Sequence, residues 1–324
     1  MKKLFVLLCC VLAASLAAFV VLAAVAAEKF APSEKSFSGG EDRAKTPAGG
    51  ADSARGEEAA SAWAEGFRAK KAGTAVRIET APAGADGAGP AGRTEAASVE
   101  AGPEGYHNRG IIDVSMGEPD EAIANFTEAI RLGAGYADAY LNRGVAYSLK
   151  GEEDKAVADF TEAIRINPDH YHAYYNRGYL YFYNKKGTVE EAVADFTEAI
   201  RINPAFAEAW YNRGNVHREN GEPGKAAADY TRAIGLKADY IDAYINRGAA
   251  YFAGGEADKA IADFTEAIRI DPNDVDAYHN RGIVYRSRGE YGHARTDWER
   301  VLRIDPGSAA ARQNLEELRR RMGD

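Results

Sequence analysis

The chain has almost no cysteine. Cys9 and Cys10 are the only two, and everything after them is cysteine-free. That excludes a disulfide framework, a thiolate zinc site and a cysteine nucleophile from the body of the protein. An excess of positive charge is also missing. Lysine and arginine number 40 against 49 acids, a formal charge of −9. The imbalance lies in residues 104–324, with 28 basic and 37 acidic side chains, while residues 1–103 carry 12 of each. A non-specific binder of nucleic acid or of an anionic membrane surface has the opposite sign, so no nucleic-acid partner is expected. Long apolar runs are absent beyond residue 27. The one that exists, Leu4 to Ala27, is uncharged and follows Lys2 and Lys3. It has the form of an export signal, with Ala24-Val25-Ala26 as an A-x-A cleavage site, and is also long enough for a retained anchor. Either way the lysines place the N-terminus on the cytoplasmic side and the rest of the chain outside the cytoplasm, periplasmic, secreted or anchored. Membrane contact is then expected only through this segment, if it is uncleaved. A lipoprotein site at Cys9 or Cys10 is the weaker reading, because Leu8 or Cys9 precedes the cysteine where a small residue is needed.

Residues 28–103 are short of large apolar side chains. Stretches such as PAGGADSARGEEAA and APAGADGAGPAGR bury too little surface to offset chain entropy, and the segment reads as a disordered tether. Trp63 and Phe67, four apart, leave room for a short helix over residues 57–71.

From Glu104 the sequence is periodic. Asn-Arg-Gly recurs with its glycine at 110, 144, 178, 214, 248 and 282, in steps of 34, 34, 36, 34 and 34. Each unit holds two helical patterns. Gly117, Gly151, Gly187, Gly221, Gly255 and Gly289 separate them, and Pro168, Pro204, Pro272 and Pro306 end the second. The third unit is longer by two residues within NKKGTVEE, a tolerated loop insertion. After Pro306, residues 308–322 form one more helix with an apolar stripe at Leu315, Leu318 and Met322. That is the solvating cap a solenoid needs.

Setting the trio's glycine at position 8, unit two shows Tyr140, Gly144, Tyr147, Ala156, Phe160, Ala163 and Pro168 at positions 4, 8, 11, 20, 24, 27 and 32. Unit five shows Tyr244, Gly248, Tyr251, Ala260, Phe264, Ala267 and Pro272. This resembles the tetratricopeptide repeat family over about two thirds of the chain. Departures are Asp113 at position 11 of unit one, His217 and Ala238 at 11 and 32 of unit four, and Val301 at 27 of unit six. The resemblance implies an all-α, right-handed α-solenoid. Six helix-turn-helix units over residues 104–306 and a capping helix over 307–324 then follow the leader (1–27) and linker (28–103).

At about 100° per residue, positions 4, 8 and 11 of the first helix share one face, and positions 2, 6, 9 and 13 lie opposite. By the resemblance, the first helices line a concave groove. Asn108, Asn142, Asn176, Asn212, Asn246 and Asn280 would then form an amide ladder along it. Such amides can bond a peptide's backbone, or bond a neighbouring helix and stiffen the stack, and the two uses are compatible. Ligand contact is the expectation taken, with Tyr179, Tyr183 and Asn215 on the same stripe and Tyr175 and Tyr211 at its margin. The arginine at position 7 lies on the flank of the packed face, as does the aspartate at position 23. The pairs Arg143–Asp159, Arg177–Asp195, Arg213–Asp229, Arg247–Asp263 and Arg281–Asp297 are therefore expected, within a unit or across to the next. Unit one, with Arg109 but Asn125, should lack its pair. Position 2 is acidic (Glu104, Asp138, Glu208, Asp242, Asp276; His172 in unit three), which reads first as the helix dipole's preference for acids in the first turn and second as a surface for a basic partner. The family's lysine clamp for C-terminal carboxylates is missing.

No enzyme assembles from these residues. GEPGKAA at 221–227 lacks the earlier glycine and the Ser or Thr of a phosphate loop. His170 and His172 have poor one-face metal spacing and read as surface side chains. No catalytic residue, metal or cofactor is expected. The expected function is a non-catalytic scaffold that binds an extended protein or peptide segment, in envelope assembly. Self-association, or service as an accessory subunit of an enzyme encoded elsewhere, stays open.

Overall fold

The computed structural model describes residues 102–133 and 135–323. The expected leader, the linker and the short helix at 57–71 lie outside the described residues. Among the described residues there are thirteen α-helices and no strand. Six hairpins run in order: α1 (Pro103–Ser115) with α2 (Pro119–Leu132), α3 (Ala137–Leu149) with α4 (Glu153–Ile166), and α5 (Tyr171–Tyr183) with α6 (Val189–Ile202). Then come α7 (Ala207–Glu219) with α8 (Pro223–Leu236), α9 (Ile241–Ala253) with α10 (Ala257–Ile270), and α11 (Val275–Ser287) with α12 (Tyr291–Ile304). Helix α13 (Ala309–Met322) closes the array. Each helix packs on the next. Beyond that, successive first helices of the units approach one another more closely than successive second helices do. The first helices therefore form the inner wall of an all-α solenoid.

Helices of 13 or 14 residues are marginal alone, so packing must hold them. Most lack a side-chain N-cap; α6 is an exception, where Thr188 and Glu191 form a reciprocal capping box. Inside a hairpin the position 8 glycine lets the position 24 ring lie flat against the first helix. A Cβ at Gly110, Gly144 or Gly248 would come within 2.6, 2.7 or 2.9 Å of Phe126, Phe160 or Phe264. Those rings are fully buried, each contributing about 1.5–3 kcal/mol of apolar burial.

Gly117, Gly151, Gly221, Gly255 and Gly289 turn the chain at φ of 73–80°, a left-handed conformation that favours glycine. Unit three does this differently. Its left-handed residue is Lys185, φ 57°, while Gly187 lies so close to the Tyr181 ring that a Cβ would stand 2.5 Å from it. Gly187 thus makes room for a packed ring and is not the helix stop expected from the pattern. At the other end, Leu315 and Leu318 of α13 are buried as expected. Met322 is not part of the packed stripe, being 46% exposed; the helix ends on left-handed Gly323. Arg286 fastens the cap by donating to Asn314 and Glu317 at 3.2 and 3.0 Å. No helix of the described residues is long and apolar enough to cross a membrane.

Candidate functional site: the inner wall of first helices

In units two to six the arginine of the trio is held from three sides. Arg143, Arg177, Arg213, Arg247 and Arg281 each donate Nε and Nη2 to the two oxygens of Asp159, Asp195, Asp229, Asp263 and Asp297. The distances are 2.7–2.9 Å. All five pairs lie within one unit. The remaining Nη1 crosses to the previous unit's second helix, reaching Thr127, Thr161, Thr197, Thr231 and Thr265 at 2.9–3.1 Å. Ring faces flank the guanidinium: Arg247 lies 5.5 and 5.8 Å from the Tyr244 and Tyr251 centroids, and Arg213 4.9 Å from Trp210. Burial raises the carboxyls of Asp159, Asp195 and Asp263 above their ordinary value although each arginine pulls the other way. The clamp thus fixes geometry between and within units more than it adds net stability. In unit one, Arg109 bonds the Gly105 carbonyl at 3.2 Å and lies over Tyr106, while Asn125 donates to Asp113 at 2.7 Å.

The asparagines are placed otherwise than the groove expectation has them. Asn108 alone of the six is exposed; Asn142, Asn176, Asn212, Asn246 and Asn280 are buried. Three have amides engaged with the preceding unit. Asn142 Nδ2 meets His107 Nε2 at 2.9 Å, Asn212 Nδ2 donates to Tyr175 Oη at 2.8 Å, and Asn246 Nδ2 donates to Tyr211 Oη at 2.9 Å. First helices approach so closely that position 6 of one unit docks on position 5 of the unit before. The helical wheel places position 6 opposite the partner helix correctly, but that direction is occupied by the neighbouring unit. The bonds of Asn142, Asn212 and Asn246 are of the kind that the stiffening alternative requires.

Units three to five deepen this contact into one connected polar cluster. Tyr183 Oη donates to Asn212 Oδ1 at 3.0 Å and accepts from Asn215 Nδ2 at 2.8 Å. Asn215 Oδ1 accepts from Tyr230 Oη at 2.8 Å and from Asn246 Nδ2 at 2.9 Å. Desolvation holds the Tyr183 hydroxyl well above its ordinary value and pushes Tyr211 up to about 12. Tyr175 and Asn215 are buried, which corrects their assignment to the groove, whereas Tyr179, Tyr183 and Tyr211 stay half-buried. The Tyr179 and Tyr183 rings meet at 4.5 Å between centroids. Tyr230 is the member that pattern reading missed. Its signal lies in the departures of unit four, Tyr for Phe at position 24 beside Asn215 at position 9: an added hydroxyl and an added amide in neighbouring slots.

His170 and His172 also differ from the surface reading. Both are buried, as is His107, and His170 Nε2 lies 3.1 Å from Asp138 Oδ1. They sit at the junction between units, not on a free surface. Among the described residues no cluster of His, Cys, Asp and Glu could hold a metal ion.

Tetratricopeptide and TPR repeat models match residues 103–132, 137–170, 182–221, 207–240, 248–286 and 275–308, together more than half of the chain. The chain belongs to the tetratricopeptide-repeat (TPR) family. No curated protein matches it. Among solved structures, YrrB, titled a TPR protein with an unusual peptide-binding site, is 25% identical. It superposes with a TM-score of 0.53 over 59% of this chain and 97% of its own. The pilF protein of Pseudomonas aeruginosa is 17% identical, with a TM-score of 0.58 over 70% of this chain and 99% of its own. PilW, a type IV pilus biogenesis factor, is 19% identical, with a TM-score of 0.57 over 66% and 98%. At such identities the last two likenesses establish the fold alone. TPR arrays are protein-interaction scaffolds, generally non-catalytic, and that coarse function is this chain's.

Proposed function

We propose that the TPR array holds an extended protein segment along its inner wall, as a non-catalytic scaffold outside the cytoplasm, in the assembly of the cell envelope. The observation that carries this reading is the locked wall itself. A buried Asn–Tyr cluster ties adjacent first helices together, and five arginine clamps tie each of those helices to its own and to the preceding second helix. A surface fixed before binding loses little conformational entropy when a ligand arrives. What that wall presents is mixed. Leu149 is 56% exposed, Tyr179 and Tyr183 are half-buried, and carboxylates at position 2 form a row along the helix starts. Half-buried tyrosines suit a contact centre, with an apolar face and a polar edge. The likeness to YrrB, a TPR protein with a peptide-binding site, supports peptide capture. The leader-like residues 1–27 support the location. The partner's ligating groups meet Leu149 and the tyrosines, not the amides of Asn142, Asn212 and Asn246.

The test is site-specific photocrosslinking in the native host. A photoreactive residue at Leu149 should trap a discrete partner, and one at exposed Ala158 on the outer helix α4 should not. Trapping at Ala158 but not at Leu149 would move the binding surface to the outer face.

A further inference from the structure

We infer that the inner wall has a resident occupant, residues 63–78 of the same chain, which a partner must displace. This rests on the wall being the binding surface and names what holds it beforehand.

Charge is the first argument. Five of the six position 2 residues are acids, Glu104, Asp138, Glu208, Asp242 and Asp276, and none is lysine or arginine. Glu104 and Asp242 are exposed. Residues 104–324 carry the chain's whole negative excess. The N-terminal 103 residues are balanced overall but not evenly so. Between Glu65 and Glu79 stand Arg68, Lys70, Lys71 and Arg77, with no acid among them. Opposite potentials over a stretch of this length attract and set orientation, and salt weakens them.

Apolar content is the second. Trp63 and Phe67 stand directly before the cations and four residues apart, so one helical turn puts both rings on one side. The segment therefore offers two aromatic anchors followed by four cations. The wall offers Leu149, Tyr179 and Tyr183, and acids at the starts of its other helices. Within residues 28–101 no other stretch combines these features.

Reach is the third. The 24 residues from Glu79 to Gly102 join the segment to α1. As a coil they span about 25–30 Å on average and about 80 Å at full extension. Packed helices stand about 8–10 Å apart, so the first helices of units three and four lie about 16–30 Å from α1, within the coil's reach. A tether matched to its span gives an effective concentration on the order of millimolar. Even a weak segment then stays in place, and a second copy of the chain at micromolar concentration is outcompeted.

The experiment uses the full chain in mild detergent and a fluorescein-labelled peptide of residues 63–78, read by anisotropy. The wild type is compared with a charge-reversed chain carrying Arg68→Glu, Lys70→Glu, Lys71→Glu and Arg77→Glu, all outside the repeats. The charge-reversed chain should bind the peptide about ten-fold more tightly, because no internal copy competes. Adding Glu104→Lys and Asp242→Lys to it should abolish that gain. Equal affinity in both chains removes the resident and leaves the wall as a binding surface. Peptide binding indifferent to the wall substitutions removes both. No peptide binding to the charge-reversed chain removes the resident, and the crosslinking at Leu149 then decides the wall separately. A wild-type dimer in sedimentation that becomes monomeric on charge reversal places the segment on a second copy and overturns the intramolecular assignment.

Discussion

Units one and five carry the same Asn-Arg-Gly, yet its side chains meet different fates. In unit five, Asn246 is buried and donates to Tyr211 and Asn215, while Arg247 grips Asp263 and reaches Thr231. In unit one, Asn108 is exposed and Arg109 turns back to its own helix. Three identical residues in a row do not determine their own environment. The asparagine needs a position 5 or position 9 partner from the unit before, and the arginine needs that unit's threonine plus an aspartate at position 23. Among the described residues unit one follows no earlier repeat, and it has Asn125 at position 23, so neither requirement is met.

The comparison breaks most visibly at the clamp. Asp263→Ala strands a half-buried guanidinium between two rings and should cost about 3–5 kcal/mol, read as a large drop in denaturant midpoint. Asn125→Ala in unit one removes only a part-exposed bond to Asp113 and should cost about 1 kcal/mol. Equal losses at the two sites would show that the clamp contributes nothing special. Next comes the helix contact. Gly248→Ala drives a Cβ into the Phe264 ring and should destabilise by about 1–3 kcal/mol through overpacking, measured by thermal melting. An unchanged midpoint would mean that the ring has room to move.

The asparagines separate the two units more finely. Asn212→Ala leaves the hydroxyls of Tyr175 and Tyr183 short of a buried partner, at about 1–2 kcal/mol, whereas Asn108→Ala should stay within about 0.5 kcal/mol of wild type. Hydrogen exchange of α7 against α1 in the two variants distinguishes a local from a shared loss. The smallest effect at neutral pH, and a visible one only in alkali, concerns the tyrosine cluster. Burial pushes the folded Tyr211 hydroxyl up to about 12 and holds Tyr183 well above its ordinary value, against about 10 when unfolded. The folded state thus holds its protons longer. The cluster's contribution is complete below about pH 10 and is lost as pH rises through 12. Tyrosinate absorbance should show late-titrating groups, one fewer of them in Tyr211→Phe, and stability near pH 7 should barely change with pH.

Much was legible beforehand for physical reasons that particular residues illustrate. The 34-residue period, the glycine against the position 24 ring and the Pro stops are local or act inside one hairpin, so the fold class, the helix order and the cap were readable. The Arg–Asp clamps were readable because both partners sit on one hairpin, where helical angles decide who can meet. The threonine arm was not, because it comes from another unit. The amide ladder failed for the same reason. An angle around one helix says which way Asn212 points but not whether water, a ligand or Tyr175 waits there.

The sequence by itself determined the units: the order of the helices and most of their stops, which rings pack inside each hairpin, and which arginine has an aspartate. It did so because those contacts join residues less than one repeat apart. Only the tertiary structure decided how unit meets unit. The spacing of successive first helices buries Asn142, Asn212 and Asn246, gathers Tyr175, Tyr183, Asn215 and Tyr230 into one cluster, and leaves Leu149 and the half-buried tyrosines as the surface. That spacing is a distance between helices, set by the summed packing of several side chains, and no single residue or angle encodes it.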